Sequence, residues 1–108
     1  MRSNAVTLVL MALCLAAPSW AETYTADSSN YRNRLSQLGP GDTLLLAPGI
    51  YNDPNTTPGL PFFNVHGETG APIVISGSDS TDRPVFHGRS THNTVRFDDA
   101  SHITIRHI

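Results

Sequence analysis

Lysine is absent from the 108-residue sequence, and its seven basic residues, all arginines, are outnumbered by nine acidic residues. The formal net charge is −2, and charged residues make up only 15% of the chain. Binding to nucleic-acid phosphates needs a clustered basic surface, as does a polybasic membrane anchor. The composition therefore argues against nucleic acid as a partner and against an electrostatic membrane anchor.

Cysteine is nearly absent as well. The single cysteine, Cys14, lies in an apolar run near the N-terminus, where residues 11–13 lack the small residue expected before a lipidated cysteine. If this region is removed, the remaining chain holds no cysteine, and disulfides cannot stabilise it in an oxidising compartment. Its stability then has to come from packing.

Residues 1–21 have the composition of a secretory signal peptide. Arg2 precedes an apolar run over residues 5–17, and Ser19-Trp20-Ala21 resembles a small-residue cleavage site. The apolar run is too short to cross a bilayer core of about 30 Å. We therefore expect a secreted or periplasmic protein without a membrane segment in its mature form.

The region that follows, 22–41, is predicted to be a polar lead-in and a short helix. Helical spacing of apolar residues predicts the helix over 31–38, with Ser29 or Asn30 available as N-cap and Gly39 as a C-terminal stop. A helix of about two turns is not stable alone in water, so it must pack against the rest of the chain.

Short apolar runs punctuated by Gly, Pro, Asn and Asp occupy residues 42–108 and predict an all-β fold of at most one domain. The gap between Phe97 and Ile103 fits either a hairpin loop of a small antiparallel β-sandwich or a corner of a solenoid. A weak repeat favours the solenoid, because 73–75 resembles 95–97 at a spacing of 22 residues. Likewise, segment 85–86 resembles segment 103–105, at a spacing of 18 residues.

Four motifs resemble a known class. The stretch LGPGDTLLLAPGIY at 38–51, with GAPIVISG at 70–77, PVFHG at 84–88 and SHITI at 101–105, is similar to the first part of right-handed parallel β-helix proteins of the pectin-lyase-like class. That class includes pectate, alginate and chondroitin lyases, and the resemblance covers about residues 31–108.

The resemblance implies a right-handed parallel β-helix, with an N-terminal cap helix within 22–41 and the first coils over 42–108. The cap would be formed by Tyr31, Leu35 and Leu38, which would cover the apolar end of the helix, with the Tyr51 ring packed near them. The columns inside the coils would consist of Ile73, Ile75, Val95, Phe97, Ile103 and Ile105.

Solenoids need a cap at each end, and no polar closing segment follows Ile103. The chain is therefore expected to be the N-terminal structural segment of a longer exported, polysaccharide lyase-like protein that acts on uronans. Its expected partner is an acidic polysaccharide, with calcium a candidate cofactor of the longer protein. The alternative is a non-catalytic β-helix that binds glycans at its surface, as an adhesin does.

No residue of this segment is assigned a catalytic, cofactor-binding or metal-binding role. In the lyases that the sequence resembles, a Lys or Arg removes the proton next to a uronate carboxyl, but Arg96 and Arg106 fit solvated, outward positions better. The segment is therefore expected to be inactive as a lyase.

Two kinds of metal site can be considered from the acidic residues and the histidines. Asp79, Asp82, Asp98 and Asp99 could suggest calcium, but they lack an ordered ligand loop, and the SDSTD sequence at 78–82 is typical of a turn. The five histidines could suggest zinc, but their H-x4-H spacings put the partners on opposite faces of a strand. These histidines are His66, His87, His92, His102 and His107. Asn55-Thr56-Thr57 is a formal N-glycosylation acceptor, and Pro58 directly after it makes its use less favourable.

We expect export with cleavage before Glu22, because Ser19-Trp20-Ala21 places small residues on both sides of the aromatic one. N-terminal sequencing of the secreted protein checks this and should read Glu-Thr-Tyr. A secreted protein that begins at Met1 would contradict it.

Overall fold

The computed structural model describes residues 21–52, 58–90 and 93–108. The expected signal peptide up to residue 20, the acceptor at Asn55, and His92 lie outside the described residues. One short helix and eight strands are present in the described ranges. They are β1 (Thr23–Ala26), α1 (Tyr31–Leu35), β2 (Thr43–Leu46), β3 (Ile50–Asn52), β4 (Leu60–His66), β5 (Ile73–Gly77), β6 (Val85–His87), β7 (Val95–Ser101) and β8 (Ile103–Arg106).

The strands form three sheets in which every strand pairing is parallel. Their orders are β1-β2-β5-β8, β3-β6 and β4-β7. The chain passes through the three sheets in turn with β2, β3 and β4, which we call the first circuit. It repeats this order with β5, β6 and β7, the second circuit. It then returns to the four-stranded sheet with β8. The fold is all-β with parallel sheets, as predicted. Among the described strands, the alternative of an antiparallel sandwich is wrong.

The register corrects the predicted repeat. Ile73 pairs with Ile103, 30 positions later, and Phe62 pairs with Phe97, 35 positions later. The predicted spacings of 18 and 22 residues are wrong, because they compare strands of different sheets. Segment 73–75 lies in the four-stranded sheet, whereas 95–97 lies in the sheet of β4 and β7.

The core is a set of columns that run across the stacked strands. In the four-stranded sheet, Tyr24, Leu44, Ile75 and Ile105 occupy paired positions. Leu44 and Ile75 are fully buried, whereas the two outer members of the column are partly buried. The two inner members are therefore covered by a strand on each side, and the middle of the column is its most buried part.

Two residues that were predicted inside the coils are exposed. Val95 is 37% exposed, and Phe97 is 56% exposed although its ring stacks on that of Phe62 at 5.1 Å between centroids. Both lie on β7, which is an edge strand with β4 on one side. Within the described residues they are covered from that side only. Ile73 and Ile75 are fully buried, as predicted, and Ile103 and Ile105 are half-buried.

Helix α1 is shorter than predicted, because it ends at Leu35 and not at residue 38. Asn30 is its N-cap residue but makes no side-chain capping bond, since its Oδ1 accepts a hydrogen bond from the Asp27 backbone N–H at 2.9 Å. The apolar face is nonetheless buried as predicted through Tyr31 and Leu35. No helix in the described ranges is long and apolar enough to cross a membrane.

The Tyr31 side chain fixes the helix to the first circuit. Its hydroxyl donates to the Gly59 carbonyl at 2.6 Å, and its ring meets the Tyr51 ring edge-on at 5.2 Å. Tyr51 in turn stacks on Phe86 of the second circuit at 4.7 Å. This aromatic cluster joins the helix to the sheet of β3 and β6.

The buried carboxylate of Asp42 closes the start of the fold. Its Oδ1 accepts a hydrogen bond from the Glu22 backbone nitrogen at 2.9 Å, and its Oδ2 accepts one from the Gly39 nitrogen at 2.8 Å. The preceding Gly41 has a φ of +82°, a left-handed conformation that glycine adopts without strain. Asp42 therefore ties the beginning of β1 to the turn that leads into β2.

Leu35→Asp should unfold the protein or destabilise it severely, because it places an unpaired charge in a side-chain position that is 2% exposed. Leu35→Ala should cost about 2–4 kcal/mol through the cavity it leaves. Denaturant unfolding followed by circular dichroism measures both. The matched control is Ser36→Asp at the exposed next position, which should change stability by no more than about 0.5 kcal/mol. Equal effects at both positions would contradict the buried helix face.

The purified 108-residue chain should self-associate through β7 and β8, because each has one partner among the described strands, and exposed strand edges and apolar side chains favour intermolecular pairing. Phe97→Ser should weaken this association in analytical ultracentrifugation. Phe63→Ser is the control, since Phe63 lies on the outer face at 43% exposure. A wild-type protein that stays a compact monomer at high concentration would contradict the prediction.

Candidate functional site

Left-handed residues at equivalent positions of β4 and β7 decide which side chains face outward. Asn64 has a φ of +55° and Asp99 a φ of +54°. Strict alternation after buried Phe62 would turn His66 inward, but the left-handed residue resets it, so that Val65 is buried and His66 exposed. The same reset at Asp99 leaves Asp99 exposed and turns Ala100 toward the core.

This reset brings three polar side chains together on the outer surface. His66 and Ser101 occupy paired positions of β4 and β7, and the Ser101 Oγ lies 2.9 Å from the His66 Nδ1. The other ring nitrogen, Nε2, lies 3.3 Å from the Asp99 Oδ1. We call Ser101, His66 and Asp99 the corner cluster.

The arginine that lies on β7 is held by its neighbours. The Arg96 Nη2 is 3.3 Å from the Asp98 Oδ2, and its guanidinium lies 5.6 Å from the centre of the Phe63 ring. All three side chains are exposed, so their net contribution to stability is small. Arg106, at the end of β8, is also exposed. The outward positions predicted for both arginines are confirmed.

A polar cleft lies beside the ends of β3 and β6. Its volume is about 310 Å³, and it is lined by Asn52, His87, Gly88 and Arg89. The parallel register pairs Asn52 with His87, which places these two side chains next to each other. We call this group the β3–β6 cleft. It combines a guanidinium, an imidazole and an amide in one concave surface.

The aspartates at 78–82 form the predicted turn. The Asp79 Oδ1 accepts hydrogen bonds from the Thr81 backbone N–H at 2.9 Å and from the Thr81 hydroxyl at 2.7 Å. These bonds hold the pKa of the Asp79 carboxyl below its ordinary value of 3.8. Their stabilisation is therefore present above that ordinary value and is lost as the pH falls through the lowered one. Asp82 donates its backbone N–H to the Asp79 carbonyl, within the same turn.

The histidines are spread over the fold. His66 belongs to the corner cluster and His87 to the β3–β6 cleft, whereas His102 and His107 follow β7 and β8 in left-handed conformations. The His102 Nε2 lies 3.4 Å from the Thr69 hydroxyl. Within the described parts of the chain, no group of three or more His, Cys, Asp or Glu side chains is arranged to hold a metal ion.

The sequence does not predict the corner cluster or the β3–β6 cleft, because each brings together residues about 35 positions apart. A signal for the corner cluster was present: FFNVH at 62–66 and FDDAS at 97–101 align without a gap, with Asn64 opposite Asp99. Asn and Asp are the residues that most often adopt a left-handed conformation without being glycine. The β3–β6 cleft has no comparable signal.

No protein-family description, no curated protein and no solved structure matches this chain.

Proposed function

We propose that the described residues form the capped first part of a right-handed parallel β-helix, of the pectin-lyase-like kind, whose outer surface engages an acidic polysaccharide. The parallel pairing of β2 with β5 and β8, and the regular visits to three sheets, support the β-helix. The buried face of α1 supports its role as a cap, since Tyr31 and Leu35 cover apolar side chains that would otherwise meet water.

The β3–β6 cleft is the observation that carries the polysaccharide. The cleft is lined by a guanidinium, an amide and an imidazole, which are side-chain groups that bind carboxylates and hydroxyl groups in proteins. A sugar acid presents both kinds of group on one ring. An exposed cleft of about 310 Å³ leaves the chain on either side of the bound residue free to continue over the surface.

In this proposal the described segment binds the polysaccharide and does not act as a lyase. A lyase base has to reach the proton next to a uronate carboxyl, with other positive charges near it to favour its neutral form. Arg96 does not fit that role, because its guanidinium is paired with Asp98. The segment serves equally as the structural start of a uronan lyase-like protein or as part of a glycan-binding β-helix.

The β3–β6 cleft is tested by titrating the purified protein with polygalacturonate, alginate, chondroitin and neutral dextran. We expect binding to one or more of the acidic polymers and none to dextran. Arg89→Gln should raise Kd about tenfold or more, because a hydrogen bond to a charged group is worth about 1.5–3 kcal/mol. The matched control is Arg83→Gln, an exposed arginine that contacts the Ser80 carbonyl.

Equal affinity for acidic and neutral polymers, or equal loss in both arginine variants, would contradict the cleft. The ultraviolet absorbance of unsaturated uronates separates the two roles. The purified protein should form none of this product, and steady product formation from it would contradict the binding role.

A further inference from the structure

The corner cluster, on a different sheet from the β3–β6 cleft, has the geometry of an activated nucleophile. We propose that Ser101, His66 and Asp99 form an esterase site that removes short acyl groups from accessible esters. Ser101 is the nucleophile, His66 the general base, and Asp99 the residue that orients the base.

Two distances support this assignment. A nucleophile within about 2.6–3.2 Å of a base, which is itself held by a third group, is the diagnostic arrangement of covalent catalysis. The Ser101 Oγ lies 2.9 Å from the His66 Nδ1, and the Asp99 Oδ1 lies 3.3 Å from the His66 Nε2. The carboxylate can only accept, so Nε2 carries the proton and Nδ1 is left to accept the serine hydroxyl proton.

The ring nitrogens are used in the reverse order from that of the serine proteases, where Nε2 faces the serine. A neutral imidazole has one donor and one acceptor nitrogen in either order. The reversal therefore changes the direction from which a substrate approaches, and it leaves the chemistry of the base unchanged.

The backbone conformation of two residues places this cluster on the surface. Asn64 and Asp99 are both held in left-handed conformations, which residues other than glycine seldom adopt. With alternating strands instead, His66 and Ser101 would face the core. The two left-handed residues thus place base and nucleophile side by side on the solvent-facing surface.

The reaction needs only the ester and water. The Ser101 Oγ attacks the acyl carbon as its proton moves to the His66 Nδ1, and Asp99 stabilises the resulting imidazolium. The tetrahedral intermediate expels the alcohol, which takes the proton from Nδ1. Water then attacks the acyl-serine with His66 again accepting its proton, and the acid leaves as Ser101 regains its hydrogen.

The exposure of the cluster sets the substrate class. The His66 and Asp99 side chains are 44% and 71% exposed, so an ester can reach them directly from solvent. Such an open surface suits acetyl and similarly short acyl esters, whether of a small alcohol or on the surface of a larger molecule.

The test is covalent labelling of the purified protein with a small fluorophosphonate, read by intact mass and peptide mapping. We expect one label per chain, on Ser101, forming on the order of 100-fold faster than on any other serine, the scale of general-base catalysis. His66→Gln should reduce the labelling rate to that of the other serines. Ser101→Ala should abolish the label, and the control Ser78→Ala, at an exposed turn position, should leave it unchanged.

Asp99→Asn tests the positioning residue, because asparagine also tolerates the left-handed conformation while losing the charge. It should slow labelling about tenfold or more with an unchanged Tm, and Asp99→Glu should restore part of the rate. A purely structural role would change the Tm and labelling together.

No label on a folded wild-type protein, or a label that persists in Ser101→Ala, would overturn the proposal. Hydrolysis of p-nitrophenyl acetate should follow the same order of variants as the labelling. Labelling and polysaccharide binding are measured separately on the wild-type protein, so the esterase site and the β3–β6 cleft can fail separately.

Discussion

The parallel register between successive circuits is the constraint on which the rest of the structure depends. On the two inner strands of the four-stranded sheet, apolar side chains are covered by their counterparts on both neighbouring strands, as Leu44 and Ile75 show. A shift of one residue would turn every inner side chain outward. The aromatic cluster, the β3–β6 cleft and the corner cluster all consist of residues that this register brings together from different circuits.

Two residues in left-handed conformations then determine which polar side chains of β4 and β7 face the solvent. Asn64 and Asp99 interrupt the alternation of β4 and β7 at matched points, so the two strands bend together and remain paired on both sides of the bend. An interruption in one strand alone would leave the inward and outward positions of the two strands out of step beyond that point. The matched pair keeps the backbone hydrogen-bonded while it changes the face on which His66 and Ser101 lie.

The all-β fold, the buried face of the helix and the turn at Asp79 could be predicted because each depends on neighbours in the sequence. The length of one circuit could not be predicted from the sequence, because the segments that precede β5 and β8 differ in length. Residues 67–72 separate β4 from β5, whereas only His102 separates β7 from β8. That difference shifts the spacing from 35 residues to 30 and hides the repeat. The exposure of Phe97 was missed for a related reason, since burial inside stacked circuits depends on a covering strand on each side.

The contact between Asp42 and the Glu22 nitrogen bears on how the chain is processed. As part of a longer chain, that nitrogen is an uncharged amide that donates one hydrogen bond to a buried carboxylate. Cleavage before Glu22 would convert it into a charged ammonium group at the same place. The hydrogen bond from an uncharged amide would become an ion pair in a partly buried contact, where attraction between opposite charges is stronger than in open solvent. If the chain is cleaved there, the same contact that holds the start of β1 to the turn before β2 would gain an electrostatic contribution.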